Sequence, residues 1–559
     1  MTRDRSVQIG LWLIAVAWMT WSASYTWESV VDDAYITARY ASELAAGHGL
    51  VFNPGEPAVE GITNLAWAWW ISVGLRMGFT ALDWMLAWGW ICAAAALALT
   101  IPLTSALSGR RDSIAALPAL LLAGVPHFAI VATNGLETTQ WVMMVLATVA
   151  AWLGLEGRAR WLAGLVGAAL VWVRPEGAAV VALLIAVDLT GRDGRALPFA
   201  APAVASEAAL LAWRWSTYGR LVPNTWDAKA NFPITDTFQQ NGGYFYPERW
   251  VLYGFLAMFT LAALAVVSPA RRDDVRPPPP LRRAAGVLGV TLLLAFIPLT
   301  VNEWMPGLRL FEPSMALTMC VLGAAVGRFS APSPRIWWIG ARLLAFPALL
   351  TWESADRARD YDGHHTVQRH NGAARAAFHL QQNLPPGSWL ATRDAGVLAY
   401  FVGPEVKVAE LHQRALTQPH PDGRDALIAN YTPRNPEAFI STLRTADQPN
   451  FEYPGDRKVW ERLSEPYVYL GRVNQHYRRH YDVYVRADLH VPPLPEGAVV
   501  SFAGPKPGDP GAPPSGAEPA QVTPPAPIDE PAVVPPSQQR GQGGQGGQGE
   551  QGEPAGDEP

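Results

Sequence analysis

The chain has 559 residues, of which 50% are hydrophobic and only 16% charged, with a net charge of −5 and 24 tryptophans. Soluble proteins carry about a quarter charged residues, so this composition excludes an ordinary water-soluble enzyme and points to lipid, where Trp gathers at the membrane–water boundary. No basic stripe of the kind nucleic acid requires is present, and the only two cysteines, Cys92 and Cys320, sit in apolar runs and exclude a disulfide framework or a zinc site.

The first apolar run, 7–24, follows Arg3 and Arg5 and reads as a retained first helix with a cytoplasmic start. Further spans are expected at 84–107, 113–131, 138–155, 196–216, 250–268, 284–301, 314–329 and 335–352. Each approaches the roughly 20 apolar residues that a ~30 Å hydrocarbon core demands. The run 161–189 is too short for two full spans and is broken by Arg174-Pro175-Glu176-Gly177. Basic residues flank both of its ends, so a hairpin of two short helices with Arg174 and Glu176 at its tip is expected, lining a polar cavity. The run 63–79 is read as re-entrant or interfacial, because a crossing there would turn every later loop inside out. About 11 crossings result.

Loops at 109–112, 157–160, 191–195 and 270–276 are basic and take the cytoplasmic side. The loops that face outward are then 25–62, 133–138, 174–176, 217–249 and 302–312. Beyond residue 352 the hydropathy collapses. Residues 353–498 read as a compact extracytoplasmic α/β domain, with a helical stretch at 357–384 and strand-like pieces at 389–392, 397–401 and 467–470. Residues 499–559 are rich in Pro, Gly and Gln, a composition that cannot bury a core, and are expected to be disordered. The first 352 residues form the membrane domain.

Ionisable groups near a bilayer are costly and mark sites, and the outward loops hold them. Asp32 and Asp33 open a stretch in which Ile36, Tyr40 and Leu44 recur at helical spacing, indicating a short helix on the membrane plane. One Asp suffices as an N-cap, which leaves the second, preferably Asp33, to take a proton from an acceptor hydroxyl. Arg39, His48, Glu60 and Asn64 in the same loop, with Glu137, Glu176, Asn224 and Glu303 in later ones, are candidate sugar contacts. Arg174, Lys229 and Arg309 are candidate partners for a phosphate, which Arg meets through a planar fork of donors. The soluble region carries His364, His365, His370 and His379, whose spacing matches no standard zinc pattern and fits a solvated helix face. The chain holds no Walker A sequence, no GxSxG and no HExxH.

Taken in order, DDAYITARYA, GHGLVFNPGE, VEGITN, TNGLET, VRPEG, PNTWDAK and WMPGLRLFEP resemble the bacterial GT-C glycosyltransferases, nearest to the terminal β-(1→2)-arabinofuranosyltransferase family. The likeness covers about residues 30–315 and extends to Thr392-Arg393-Asp394-Ala395-Gly396. It implies a GT-C fold, a polyprenyl-phosphate sugar donor, inversion at the anomeric carbon and a cell-envelope glycan or lipid acceptor, in the cell (inner) membrane with the site facing outward. By the same resemblance the base maps onto Asp32 and Asp33. The donor phosphate maps onto Arg174, Lys229 and Arg309. A divalent cation on Glu137 or Asp32 is compatible with this chemistry without being required by it. Val301-Asn302-Glu303 stands where relatives often carry Gly-Gly-Asp, and Glu410-Leu411-His412 where they carry an Asp-Leu run, so arabinose specificity does not carry over. A flippase for a lipid-linked sugar, or a non-catalytic envelope scaffold, is the competing class. The chain shows no internal repeat of the kind transporters carry.

Overall fold

The computed structural model describes residues 3–24, 30–191, 194–225, 281–300, 309–329, 366–367, 372–411, 435–443, 464–476 and 479–495. The expected spans 250–268 and 335–352, the basic loop 270–276, the tail, and Lys229, Glu303, His364, His365 and His370 lie outside them.

Helices α1 (Arg3–Ala23) and α4 (Ala81–Ser108) run side by side. Trp12 Nε1 donates to Ala94 O at 3.0 Å and Trp90 Nε1 to Thr20 Oγ1 at 2.8 Å. Between them in sequence lie β1 (Val30–Val31), α2 (Asp32–Ala46) and α3 (Leu65–Arg76). The 12 residues of α3 span ~18 Å at the helical rise, short of a ~30 Å hydrocarbon core. The stretch 113–131, read from sequence as one span, is bent in two. A 3-10 turn and α5 (Leu117–Ala123) meet α6 (Pro126–Thr133) at 70°, because Pro126 has no N–H to continue the helix before it.

Helix α7 (Thr138–Gly154) packs on α4 and leads to α8 (Arg160–Val173) and α9 (Glu176–Leu189). These two fold back on each other. A Cβ built on Gly167 would lie 3.5 Å from Val181 Cγ2, whereas residues 14 apart on a straight helix stand ~21 Å apart. The hairpin read from the sequence is therefore present, with Arg174 and Pro175 at its tip. Helix α10 (Ala196–Tyr218) lies along α8, where Trp172 Nε1 donates to Ser206 Oγ at 2.9 Å. Helices α11 (Leu281–Thr300) and α12 (Glu312–Phe329) complete the described bundle, joined by Ser314 Oγ donating to Thr291 O at 2.9 Å. Among the described residues four helices are long and apolar enough to cross a membrane, and five if the bent pair counts as one.

The bundle sorts its polar groups to its two ends. At one end Gln8 donates to Arg111 O and Asp112 O, Arg160 pairs with Asp188, and Arg283 donates to Leu153 O. These are the loops that the charge rule puts together. The Asp pair, the Glu137 turn and the hairpin tip gather at the other end. There a five-stranded sheet docks in the order β4-β3-β5-β7-β6: β3 (Trp389–Thr392), β4 (Lys407–Glu410), β5 (Ala438–Leu443), β6 (Tyr467–His476) and β7 (Arg479–Arg486). The first three are parallel and β7 is antiparallel to both of its neighbours. One face of the sheet, with Leu390, Ile440 and Val483, packs with α13 (Gly372–Asn383) and α14 (Val397–Phe401). Residues 397–401, expected as a strand, are thus helical. All five are buried, and tertiary packing outweighs the β-propensity of Val, Tyr and Phe. A two-residue strand, β2 (Thr366–Val367), pairs with β1 and ties the start of α2 to this part of the chain.

Candidate active site

Helix α2 carries the candidate pair Asp32 and Asp33 in its first turn. It is a helix, as its periodicity predicts, but it is not spread on a surface. It lies between the bundle and the sheet domain, with nine of its residues buried, Tyr35, Arg39 and Glu43 among them. Neither Asp is its N-cap; that position is Val31, which makes no side-chain capping bond. Asp32 serves a different helix. Its carboxylate accepts from the backbone N–H groups of Gly396 at 3.1 Å and Val397 at 2.9 Å, at the start of α14. Asp33 is half-buried in the same first turn. It shares its side of α2 with Thr37, one turn further on.

Thr37 begins a chain of polar contacts into the bundle. Thr37 Oγ1 and Asn64 exchange hydrogen bonds at 3.1–3.3 Å. Asn64 Nδ2 donates to Glu137 Oε2 at 2.7 Å. The other oxygen of Glu137 takes the Arg174 guanidinium, which also donates Nε (3.1 Å) and Nη2 (2.9 Å) to Glu176. Asn64, Glu137 and Arg174 are all buried. Burial alone would raise the Glu137 carboxyl, but the Arg174 and Arg309 charges and the Asn64 amide outweigh it and hold the group below the usual carboxylate range. Of the five N–H groups on a guanidinium, Arg174 gives three to these carboxylates, which leaves two.

The turn before α7 is shaped to receive α2. Val31 N–H donates to Asn134 O at 3.1 Å, and Trp67 Nε1 to Gly135 O at 3.0 Å. Gly135 adopts φ 82°, and a Cβ there would meet Val30 Cγ1 at 2.8 Å and Ala34 Cβ at 2.9 Å. Only glycine fits both the conformation and the space.

A second polar group lies nearby. The buried Glu60 carboxylate takes Arg214 Nε with both oxygens at 3.0 Å, and its backbone carbonyl accepts from Asn224 N–H at 2.9 Å. Burial pushes the Glu60 carboxyl up to about 7, against the pull of Arg214. A shallow cleft beside it is lined by Val59, Glu60, Tyr218, Arg220, Val222 and Asn224. Arg220 donates to Asn224 Oδ1 at 2.8 Å.

The structure thus brings together Asn64, Glu137, Arg174, Glu176 and Arg309, and sets Asp33 on the helix face that leads to them. Glu60 and Asn224 form a separate group. His48 sits at the far end of α2, its Nδ1 2.8 Å from Glu43 Oε2. Arg39 donates to the carbonyls of Ala399, Gly403 and Val406 in the sheet domain and to Phe52 O and Asn53 Oδ1 in its own loop. Sequence reasoning missed Thr37, the link in the chain, although it stands at i+4 from Asp33. It also missed Arg214, an ionisable residue in an apolar helix and so a signal in itself. Glu312, inside the last quoted motif, is fully buried, and its carboxylate oxygens have no hydrogen-bond partner among the described residues. Among the described residues no three His, Cys, Asp or Glu side chains group closely enough to hold a metal ion.

A helical bundle joined at one end to a C-terminal sheet domain is the polytopic membrane fold of the GT-C glycosyltransferases. Two solved structures of one such enzyme, ArnT from Cupriavidus metallidurans, share this fold. The apo form aligns at TM-score 0.54 and 14% identity over 86% of this chain and 97% of that one. The form bound to undecaprenyl phosphate aligns at TM-score 0.51 and 14% identity over 90% and 98%. A curated relative, the terminal β-(1→2)-arabinofuranosyltransferase of Mycobacterium tuberculosis, is 31% identical over 145 residues, which is 24% of this chain. The match spans only 22% of that relative's length. No protein-family model matches the chain.

Proposed function

We propose that the chain is a membrane glycosyltransferase that moves a sugar from a polyprenyl-phosphate donor to a cell-envelope glycan or lipid. The site faces the outer side of the cell membrane, about 11 crossings carry the chain, and the sheet domain lies outside. The observation that carries this reading is the placement of Asp33 on the face of α2 that leads through Thr37 and Asn64 to the buried Glu137–Arg174 pair. A base and a cationic pocket drawn from separate loops then share one end of the bundle. The ArnT structure with undecaprenyl phosphate supports a lipid-phosphate donor.

The acceptor hydroxyl is a poor nucleophile, and the Asp33 carboxylate takes its proton as the oxygen attacks the anomeric carbon. The bond from that carbon to the phosphate oxygen breaks, with inversion. Phosphate leaves with added negative charge and needs fixed positive partners more than an acid. The two remaining N–H groups of Arg174, with Arg309 and Lys229, supply them. Glu60, Asn224, Glu176 and Glu303 are left as sugar contacts.

The test incubates purified protein in detergent with a panel of radiolabelled polyprenyl-phosphate sugars and reads transfer or hydrolysis. Transfer without a sealed membrane is expected, with Asp33→Asn at least ~10²-fold slower, the scale of general-base catalysis. A chain that moves label only across sealed vesicles, or an undiminished Asp33→Asn, sinks the reading.

A further inference from the structure

The two neighbouring aspartates of α2 lie on different sides of the helix. Asp32, Tyr35 and Arg39 recur at i, i+3 and i+7 and form one stripe. Asp33, Thr37 and Tyr40 form another, about 140° away around the helix. The first stripe belongs to the sheet domain. Asp32 holds the two N–H groups at the start of α14, and any Cβ at Gly396 would collide with Asp32. The Tyr35 ring lies 5.6 Å from that of Tyr400 and 5.7 Å from that of Phe401. Arg39 is 2% exposed and spends all five donors. Nε goes to Phe52 O (2.8 Å), Nη1 to Ala399 O and Gly403 O (2.9 Å), and Nη2 to Val406 O (3.0 Å) and Asn53 Oδ1 (3.5 Å). Asn53 in turn pairs with both backbone groups of Val408 at 2.9 Å, as an added strand residue would on β4. Among the described residues no carboxylate forms an ion pair with this buried cation, an expensive way to hold two elements together, since an apolar side chain of similar volume is often no less stabilising. What the guanidinium adds is direction, because five bonds fix the rotation of α2 about its axis.

We propose that Asp32 and Arg39 are positioning residues through which the sheet domain sets the rotation of α2 and so aims Asp33 at the Asn64–Glu137–Arg174 chain. Only Asp33 of the pair meets substrate. The sheet domain is then part of the catalytic apparatus without contributing a reacting group. The kinetic half of this proposal rests on the glycosyltransferase reading above, and the structural half does not.

The full chain in detergent tests both. In Asp32→Asn and Arg39→Lys, amide exchange is expected to rise in α2 and in residues 396–403, and to stay at the wild-type rate in Asp33→Asn. Misplacing a reacting group by about 1 Å costs on the order of 10²-fold. Arg39→Lys and Asp32→Asn are therefore expected to lower kcat ~10- to 100-fold with donor KM within about threefold, and to keep the acidic limb of the pH–rate profile. Asp33→Asn loses that limb. If Asp32→Asn removes the limb as well, Asp32 is itself the base and the division of roles is overturned. If exchange is unchanged in both positioning variants, the clamp is overturned, even for a chain that transfers no sugar from any donor; inactivity alone counts against the glycosyltransferase reading.

Discussion

Arg174→Met isolates the energetics of the buried cluster. The guanidinium serves two carboxylates of unlike exposure: the Glu137 side chain is 2% exposed and that of Glu176 is 18%. Glu176, at the hairpin tip, can recover water when the cation goes. Glu137 cannot, and is left with the Asn64 amide and the Arg309 charge. Stranding one partner of a buried ion pair costs about 3–5 kcal/mol, but proton uptake caps the penalty. Neutralising a carboxyl of ordinary pKa ~4.3 at pH 7 costs about 3.7 kcal/mol, falling by about 1.4 kcal/mol per pH unit. In the wild type, the lowered Glu137 contributes stability that is present above the unfolded pKa and lost below it. The gap between wild type and variant is therefore expected near 3–4 kcal/mol at pH 7 and near 1 kcal/mol at pH 5. Unfolding of the purified protein in detergent at the two pH values reads this directly. Arg174→Met/Glu137→Gln should recover at least ~2 kcal/mol of the loss, because the stranded charge is gone. Sugar transfer, on the proposed reading, stays lost in both variants, since the phosphate has lost its cation. A pH-independent deficit, or a double variant no more stable than the single one, would refute this reasoning.

Glu60 titrates with the opposite sign. Its folded carboxyl lies at about 7 against an ordinary 4.5, so the native state holds the extra proton and stability falls as pH rises between those values. The span amounts to about 3 kcal/mol, and a pH series of unfolding should show it in wild type and not in Glu60→Gln. Gly135→Ala should cost about 1–3 kcal/mol through overpacking, because its Cβ would press on Val30 and Ala34 at the start of α2. Gly55→Ala provides the control: it has a similar φ of 77° with nothing within 4 Å of the added carbon, so it carries backbone strain alone. On the proposed reading kcat falls further in Gly135→Ala than in Gly55→Ala at matched stability.

The apolar runs and the basic loops were legible because both obey one-dimensional rules. Length against bilayer thickness and the placement of Lys and Arg are properties of composition within a window. The hairpin followed from them, since 161–189 is too short for two full spans and is flanked by basic residues at both ends, although one long tilted helix was the alternative. The bend at Pro126 was harder, because proline is tolerated in apolar helices and the 70° turn depends on what α5 and α6 pack against. Residues 397–401 were misread for a like reason: Val-Leu-Ala-Tyr-Phe is a good strand in isolation, and its helix is capped by a carboxylate more than 360 positions away. Arg39 has the same origin. Its five acceptors are four backbone carbonyls and one amide, and backbone carbonyls leave no trace in a sequence. The sequence marks Arg174, Glu137 and Glu176 as candidates, but it does not show that Glu137 pairs with Arg174. Complementary charges on separate loops cannot be paired until the fold says which loops meet.

That pairing bears on how the site would receive an anion. Glu137 and Glu176 bring two negative charges to the cluster, and Arg174 and Arg309 bring two positive ones. The cluster is then close to neutral before any ligand enters. A leaving phosphate adds charge that this balance does not cover, so on the proposed reading either a further cation joins or one carboxylate withdraws. Glu176 is the carboxylate better placed to withdraw, since its side chain at the hairpin tip is 18% exposed, whereas Glu137 is held on both oxygens inside the bundle. Glu176→Gln would free the Arg174 fork without stranding a buried charge. It would also remove the one acid whose retreat the incoming phosphate must otherwise induce.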